Sequence, residues 1–249
     1  MTRSQLRDKT AIVTGGGRGI GRAIAVGFAA EGARVCVLAR SRGEIEQVAD
    51  EISDAGGEAL AVVCDVTDRI AVDEAIDSAC GELGGLDILV NNAGGWTERN
   101  PVGEDDPERW AQVVRVHLDG SYYCTRAALP HLKRRGGGAV IMVGSGMGHQ
   151  AQEGNSSYNA AKAGLWMLTR CLALELRAHR IAVNELVPGL VRTSPVLEAI
   201  DEKGRPTNPQ LAHEWLKEPE DVVPLALFLA CQPPTGPTGQ SFSLARRPF

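Results

Sequence analysis

The sequence predicts an α/β fold in which helices cover both faces of a parallel, doubly wound sheet. Short apolar segments alternate with longer segments of helical pattern over most of the 249 residues. Most of the short segments are continuously apolar, as expected for strands that are covered on both faces. Such alternation indicates right-handed β–α–β crossovers between parallel strands.

The predicted elements follow one another without a linker, a repeat or a low-complexity segment. The strand candidates are residues 10–14, 34–39, 59–63, 87–91, 139–143, 181–186 and 241–244. The helical candidates are residues 19–31, 44–55, 69–83, 107–134, 156–178 and 220–231. We therefore expect a single domain over residues 1–249. The segment at about 188–218 is rich in proline and charge, and its length is typical of a lid over a substrate site.

Composition argues against several classes of function. The net charge is −5 and the basic residues are scattered, so we expect no binding to nucleic acid. The longest apolar stretch, VVPLALFLAC, is far shorter than the about 20 residues that span a bilayer, and the N-terminus lacks the apolar region of a secretory signal. The six cysteines and five histidines show no spacing typical of disulfides or metal ligands. We expect a cytoplasmic protein with reduced cysteines and no metal.

The first predicted strand leads directly into TGGGRGIG, residues 14–21, which opens a helix. Glycines at positions 15, 19 and 21 allow a tight turn and a close approach of the backbone to a phosphate. The start of the helix then offers free N–H groups and a favourable dipole for negative charge. This context, strand before and helix after, favours a dinucleotide site over a glycine-rich turn without a ligand.

The residues after the second and third strands bear on the choice of cofactor. The second strand ends in VLARSR, without the acidic residue that binds the ribose of NAD(H). Arg40, with Arg18 facing it, suits a 2′-phosphate, so NADP(H) is preferred and NAD(H) is the alternative. Asp65 follows the third strand and suits the adenine amino group, although it could also cap the next helix, for which Asp68 is better placed.

A tyrosine and a lysine stand four residues apart in SSYNAAKAGL, residues 156–165. At about 100° per residue, Tyr158 and Lys162 leave the same face of a helix. A nearby ammonium favours the phenolate, so we expect Lys162 to lower the pKa of Tyr158 towards neutrality. Ser145 follows the fifth strand and belongs to the same edge of the sheet. Together the three side chains suit protonation of a carbonyl.

These motifs make the chain resemble the short-chain dehydrogenase/reductase family. The matching residues are Thr14-Gly15-x-x-x-Gly19-Ile20-Gly21, Asp65, Asn91-Asn92-Ala93-Gly94, Ser145, Tyr158-x-x-x-Lys162, Asn184 and Pro188-Gly189. The similarity extends over about residues 6–245. It implies a Rossmann-type sheet of seven strands, a nicotinamide cofactor, and catalysis by Ser145, Tyr158 and Lys162. Overall similarity favours 3-oxoacyl-(acyl-carrier-protein) reductases.

The resemblance and the motifs together define the expected site. The cofactor-binding residues are predicted to be Gly15, Gly17, Arg18, Gly19, Ile20, Gly21, Arg40, Asp65, Val66, Asn91, Ala93, Gly94, Tyr158, Lys162, Pro188, Gly189, Val191 and Thr193. Trp96, His149 and Gln152 are predicted to contact a small-molecule substrate, although solvated loop positions fit His149 and Gln152 equally well. The family also implies a homo-oligomer, often a tetramer that pairs the helices at 107–134 and 156–178.

The sequence departs from the family pattern in two places. His117 stands where the family usually has an asparagine that completes a water-linked proton relay to the lysine. A neutral imidazole can hold such a water, whereas a charged one beside Lys162 would sharpen the pH dependence. The C-terminus reads GQSFSLARRPF in place of the usual Asp-Gly-Gly turn, which questions the packing of the last strand.

Three functions follow in order of preference. The first is an NADP(H)-dependent reductase or dehydrogenase that interconverts a carbonyl, such as a 3-oxoacyl thioester, and a secondary alcohol. The second is an NAD-linked secondary alcohol dehydrogenase. The third is a non-catalytic cofactor-binding sensor on the same fold.

Overall fold

The computed structural model describes residues 4–95, 100–193 and 214–245, and it contains the predicted parallel sheet. The seven strands are β1 (Thr10–Thr14), β2 (Arg34–Ala39), β3 (Glu58–Val63), β4 (Ile88–Asn91), β5 (Gly138–Val143), β6 (Ile181–Val187) and β7 (Ser241–Ser243). Their order in the sheet is β3-β2-β1-β4-β5-β6-β7. All pairings are parallel, so the predicted doubly wound topology is confirmed.

The helices lie close to their predicted positions. They are α1 (Gly19–Ala30), α2 (Arg42–Asp54), α3 (Arg69–Leu83), α4 (Pro107–Val114), α5 (Gly120–Arg134), α6 (Ser156–Leu176) and α7 (Val223–Ala230). The stretch predicted as one helix at 107–134 is interrupted by a π-helical turn, Arg115–Asp119. Such turns inside α-helices are common at functional sites. Short 3₁₀ turns at Gly146–Gly148, Arg177–His179 and Pro219–Val222 complete the helical structure.

The sheet separates two apolar cores, which explains the continuously apolar strands. On one face the strands pack against α3, α5 and α6, through residues such as Ile76, Leu132 and Leu165. On the other face they pack against α1, α2 and α7, where Phe28 and Ile45 are fully buried. Helices on both faces remove the solvated side that an antiparallel sheet often has.

The strand order reverses at β1. The chain continues from β1 to β2 and β3 on one side, and β4 begins the other side of the sheet. In open parallel sheets, ligands bind in the crevice that this reversal leaves at the carboxyl ends of the strands. The last strand also joins the sheet in spite of its unusual sequence, since Ser241 pairs with Glu185 of β6. The doubt about its packing is thereby removed.

At the opposite edge of the sheet, Asp87 ties three segments together. Its carboxylate accepts hydrogen bonds from Lys9, from Thr10 and from Arg135. Burial raises the pKa of Asp87, but the bonds from Arg135 and Thr10 and the charge of Lys9 outweigh it and hold the pKa below its ordinary value. This buried acid therefore stabilises the fold at the amino ends of the strands, whereas the crevice lies at their carboxyl ends.

Candidate active site

A cleft of about 780 Å³ opens at the carboxyl ends of the strands, where the sheet order reverses. It brings together most of the residues predicted from the sequence: Gly15, Gly17, Arg18, Gly19, Ile20, Arg40, Asp65, Val66, Ala93, Gly94, His117, Ser145, Tyr158, Lys162, Pro188, Gly189, Val191 and Thr193. It is also lined by Asn92 of the matching Asn91–Gly94 motif and by residues that were not predicted from the sequence, among them Ser41, Glu44, Cys64, Val116, Gly144, Leu190 and Glu214.

The glycine loop presents the start of α1 to the cleft. Arg18 precedes α1 without a capping side-chain bond, and the first turn contains no acidic residue. The N–H groups at this helix end are therefore left for an anion. Gly15 has φ +63°, and a Cβ there would lie 2.8 Å from the Cα of Ala93. The loop thus has the backbone shape and the unused donors that a pyrophosphate requires.

Gly21 does not line the cleft, contrary to its assignment as a cofactor-binding residue. It is buried in the first turn of α1, where a Cβ would overlap with the carbonyl oxygen of Gly15 and with the amide of Asn92. Its role is the close packing of the helix against the loop. The motif found the right glycine, but spacing alone could not separate packing from contact with a ligand.

Thr14 joins the two strands at the centre of the cleft. Its hydroxyl donates to the carbonyl oxygen of Val90 and accepts from the N–H groups of Asn92 and Ala93, both at 3.0 Å. The amide of Asn92 in turn donates to the carbonyl oxygens of Thr14 and Gly15. The glycine loop and the segment after β4 are therefore held as one unit.

Asn91, predicted to contact the cofactor, is also absent from the cleft wall. It is the last residue of β4 and is buried, with its amide donating to Thr125 of α5 and to the sulfur of Met142. Asn92, one position later, reaches the cleft. Successive residues of a strand point to opposite faces, so the end of the strand decides which asparagine faces the crevice.

The adenosine end of the cleft carries charges of both signs. Arg40 follows β2, and its guanidinium lies 3.8 Å from the carboxylate of Asp65. Arg18 lies 3.9 Å from the carboxylate of Glu44, which belongs to α2. Both arginine side chains are 71% exposed, so these ion pairs are weak and can open to a phosphate.

Asp65 and Asp68 divide the two roles weighed from the sequence. Asp68 caps α3, since its carboxylate accepts from the N–H groups of Ile70 and Ala71. One oxygen of Asp65 accepts from the N–H and the hydroxyl of Thr67, and its other oxygen faces Arg40. Asp65 therefore remains at the cleft wall as a candidate adenine contact.

Ser145, Tyr158 and Lys162 meet at the other end of the cleft. Tyr158 and Lys162 lie one turn apart on α6, and the ammonium nitrogen is 5.7 Å from the centroid of the phenol ring. Ser145 hydrogen-bonds to Tyr158 and also accepts from the N–H of Met147. Lys162 donates to the carbonyl oxygen of Val143 at 2.7 Å. The backbone at the end of β5 thereby fixes the lysine.

Burial dominates the protonation of the tyrosine and the lysine. It raises the pKa of Tyr158, and the hydrogen bond with Ser145 only partly counteracts it. The expectation that Lys162 brings the pKa of Tyr158 towards neutrality is therefore wrong for this state of the protein. Burial also lowers the pKa of Lys162 to about 8, with the charge of Glu185 acting in the opposite direction. At neutral pH the pair holds a phenol and an ammonium.

His117 lies in the π-helical turn and faces the catalytic tyrosine. Its ring meets that of Tyr158 edge to face, with 5.0 Å between centroids, and Nε2 is 2.8 Å from the carbonyl oxygen of Gly95. A Cβ at Gly94 would overlap with the imidazole. Nδ1 is buried without a hydrogen-bond partner among the described residues. The ring thus offers an unused nitrogen to a water or a ligand.

The charge expected of His117 as one alternative does not form near neutrality. Burial and the nearby charge of Lys162 lower the pKa of His117 to about 3, although the bond to Gly95 acts against them. The imidazole is neutral at pH 7, and a sharpened pH dependence from its titration there is not expected.

Two of the three predicted substrate contacts do not line the cleft, and the third lies outside the described residues. His149 does not line the cleft; its Nε2 is 3.0 Å from a carboxylate oxygen of Glu185, and its ring packs against Trp166. Gln152 does not line the cleft either, and its side-chain oxygen is buried. Trp96 lies outside the described residues, as does the lid segment from 194 to 213. Both side chains of the 149–152 segment turn towards the protein interior.

Other features narrow the chemistry of the described part of the chain. All six cysteines have free thiols, four of them buried. Burial raises the pKa of Cys64, the one that reaches the cleft, to about 11, so it is not a thiolate nucleophile. Within residues 4–95, 100–193 and 214–245, no three His, Cys, Asp or Glu side chains cluster as metal ligands. None of the helices in these ranges is long and apolar enough to cross a membrane.

Comparison with known proteins shows the family to which the chain is similar. The family model described as short chain dehydrogenase matches residues 9–204. The chain is 37% identical to a cis-4-hydroxycyclohexanecarboxylate dehydrogenase of Sinomonas cyclohexanicum, over 90% of this chain and 89% of that protein. It is 32% identical to the 3-oxoacyl-(acyl-carrier-protein) reductase FabG of Thermotoga maritima, over 95% and 96% of the two chains.

Solved structures show the same likeness. A 7α-hydroxysteroid dehydrogenase complexed with NADH and 7-oxo glycochenodeoxycholic acid superposes with a TM-score of 0.89 at 29% identity, over 98% of this chain and 95% of that one. The fold and the cleft thus define an oxidoreductase built on a dinucleotide-binding sheet. The chain belongs to the short-chain dehydrogenase/reductase family, whose members bind NAD(P)(H) and act on alcohol and carbonyl groups.

Proposed function

We propose that the protein interconverts a ketone and a secondary alcohol with NADP(H) as the preferred cofactor. The observation that carries this proposal is the meeting of Ser145, Tyr158 and Lys162 at one end of a cleft whose other end is the glycine loop. A dinucleotide extended along the cleft places its nicotinamide beside the phenol. When bound, the cofactor supplies or accepts the hydride at the substrate carbon.

The glycine loop and three neighbouring segments hold the cofactor. Gly17 and Gly19 with the start of α1 bind the pyrophosphate, and Arg40 with Arg18 binds the 2′-phosphate. Asp65 and Val66 flank the adenine. Ala93, Gly94 and the segment from Pro188 to Thr193 enclose the nicotinamide half. All of these residues line the cleft.

The catalytic residues handle the proton. Tyr158 is a neutral phenol at pH 7, since burial raises its pKa, and it donates its proton to the substrate oxygen during reduction. Ser145 binds the same oxygen and orients it towards the phenol. Lys162 supplies positive charge that stabilises the phenolate formed in this step. His117, neutral and one ring away, holds a water that returns a proton to the site.

The substrate is best described as a 3-oxoacyl thioester or a similar ketone. Likeness to a 3-oxoacyl-(acyl-carrier-protein) reductase over nearly the whole chain supports this class. The runner-up is an NAD-linked oxidation of a cyclic or secondary alcohol, which the likeness to a hydroxycyclohexanecarboxylate dehydrogenase and to an NADH-bound hydroxysteroid dehydrogenase favours. The proposal keeps a single domain, and the expected substrate lid at 188–218 falls largely outside the described residues.

The proposal includes a homo-oligomer in the cytoplasm, a tetramer by analogy with the family. Exposed apolar side chains on the helices expected to pair support an interface there. Tyr122 lies on α5, and Met167 and Leu174 lie seven residues apart on one face of α6. Leu174 is 66% exposed and Met167 is 48% exposed.

The test is a screen of ketones and 3-oxoacyl thioesters for NADPH oxidation, followed by Tyr158→Phe. The variant should still bind NADPH and lose nearly all turnover, because it keeps the ring and removes the hydroxyl that gives the proton. Tyr122→Phe, at an exposed tyrosine outside the cleft, is the matched control and should retain activity. Full activity in Tyr158→Phe would refute the assignment. Cofactor binding without turnover on any substrate would favour the non-catalytic sensor.

A further inference from the structure

A fully buried acid, Glu185, lies behind the catalytic loop and has no part in the mechanism given above. It is the fifth residue of β6 and is 0% exposed. Its backbone pairs with Met142 of β5 and with Ser241 of β7. A carboxylate placed in the middle of a sheet is costly to bury unless other groups compensate for the loss of water. Its partners therefore indicate what it does.

One oxygen of Glu185 is bonded and the other faces the loop before Ser145. Oε2 accepts from Nε2 of His149 at 3.0 Å and from the hydroxyl of Ser241. Oε1 has no hydrogen-bond partner among the described residues. A Cβ at Gly144 would overlap with Oε1, so only glycine leaves room for the carboxylate there. The acid thus contacts the residue next to the catalytic serine.

His149 carries the contact further along the same loop. It follows the 3₁₀ turn Gly146–Gly148, and its ring packs edge to face on Trp166 with 5.3 Å between centroids. Trp166 lies one turn after Lys162 on α6. The carboxylate therefore joins both ends of segment 144–149 to β6 and, through the histidine, to the helix that carries Tyr158 and Lys162.

Glu185 also acts on Lys162 through its charge. Burial lowers the pKa of Lys162 to about 8, and the negative charge of Glu185 raises it. His149 from the loop and Ser241 from β7 bond to Glu185. Lys162 from α6 donates to the carbonyl oxygen of Val143, next to the Gly144 that the carboxylate packs against. Met142 and Gly144 from β5 bring no charge. His117 faces Lys162 from the other side and is neutral at pH 7.

We propose that Glu185 is a positioning residue for the catalytic centre: it holds segment 144–149, and with it Ser145, against β6, and it keeps Lys162 protonated. This inference rests on the proposed function, in which Lys162 acts as a cation. It assigns a role to His149 as well, as the group that orients the carboxylate, in place of the substrate contact expected from the sequence.

The experiment compares Glu185→Gln with the wild type in two readouts. Glutamine keeps the size and can still accept from His149, but it removes the charge. Titration of the Lys162 ammonium, followed by ¹⁵N NMR of the cofactor-free protein, should shift to lower pH, because the negative charge that favours the ammonium is gone. The alkaline limb of the kcat–pH profile should shift in the same direction. An unchanged Lys162 midpoint in the folded variant overturns the charge role.

Asp87→Asn is the matched control, because it removes a buried charge at the opposite edge of the sheet. It should lower stability and leave both the Lys162 midpoint and the pH profile unchanged. Since the NMR readout needs no substrate, a shifted midpoint without turnover on any ketone supports this inference and counts against the proposed function alone.

Gly144→Ala tests the positioning role if Glu185→Gln does not fold. The new methyl group would displace the carboxylate and with it Ser145, so kcat should fall at least tenfold. Combining it with Glu185→Ala should cause no further loss beyond Glu185→Ala alone, since the carboxylate that the methyl group displaces is then gone. An unchanged kcat in Gly144→Ala overturns the positioning role.

Discussion

The ammonium nitrogen of Lys162 lies 2.7 Å from the carbonyl oxygen of Val143, which places a buried cation at the end of a central strand. Two groups partly compensate for this buried positive charge. The carbonyl oxygen of Val143 accepts a hydrogen bond from it, and the negative charge of Glu185 on β6 favours the ammonium. The lysine is therefore destabilising for the folded protein at neutral pH, as catalytic groups often are. Its proposed role is to stabilise the phenolate of Tyr158, which lies one turn earlier on α6.

Replacing Lys162 with methionine should stabilise the protein at neutral pH and abolish turnover. Burial lowers the folded-state pKa from 10.5 to about 8, so the unfolded chain binds this proton more tightly. The penalty, roughly 3 kcal/mol, is complete below pH 8 and disappears as the pH rises to about 10.5. Urea unfolding at several pH values should show the wild type gaining stability relative to Lys162→Met over this window. A constant difference between the two proteins would contradict the shifted pKa.

His117→Asn should make the protein less sensitive to acid. Burial lowers the pKa of His117 from 6.5 to about 3, so below pH 6.5 the unfolded chain takes up a proton that the folded protein refuses. The wild type is stable in this respect above 6.5 and loses about 2 kcal/mol by pH 5. The measurement is the free energy of unfolding at pH 7 and pH 5. His179→Asn, at an exposed histidine, is the control and should follow the wild type.

Arg40→Asp should shift the cofactor preference from NADPH towards NADH by at least tenfold in the ratio of kcat/KM values. The substitution removes the guanidinium at the ribose end of the cleft and adds a charge that repels a 2′-phosphate. Arg42→Asp is the matched control, since Arg42 pairs with Glu46 on α2 and does not line the cleft. An unchanged ratio in Arg40→Asp would contradict the assignment of Arg40 to the 2′-phosphate.

Leu174→Lys should weaken the assembly of subunits. An ammonium buried in the expected interface would lose its water without gaining a partner, and each subunit of a symmetric oligomer would carry the change. Sedimentation velocity should show smaller species than the wild type at the same concentration. Glu175→Lys, at the neighbouring exposed position of α6, controls for added charge. If the wild type sediments as a monomer, the expected oligomer is wrong.

Much of the fold was predictable from the sequence because its signals are local. All seven strands were located to within a residue or so, since each is a short apolar run bounded by glycine or polar residues. Asp68 was recognised as a cap from its place before a helical pattern. The π-helical turn at 115–119 was missed, because one extra residue in a helix leaves the apolar pattern nearly unchanged over so short a distance.

The site was predictable where it depends on position along the strands and less so where it depends on packing. Strand ends and helical spacing brought Ser145, Tyr158 and Lys162 together correctly as neighbours. Their pKa values depend on burial by distant segments, which no local pattern records, and the direction for Tyr158 was wrong. His149 was predicted as a substrate contact. Its partner, Glu185, is 36 residues away in the sequence, so no local pattern indicates their contact.

The Thr14 hydroxyl has a further consequence for how the cleft can open. Because this one oxygen bonds to Val90 in β4 and to the two residues that follow the strand, the glycine loop and the segment after β4 are expected to move together. A motion that admits or releases a ligand is then expected on the other side of the cleft, where the chain leaves β6. Thr14→Val would remove these three hydrogen bonds and would allow the glycine loop and the segment after β4 to move relative to each other.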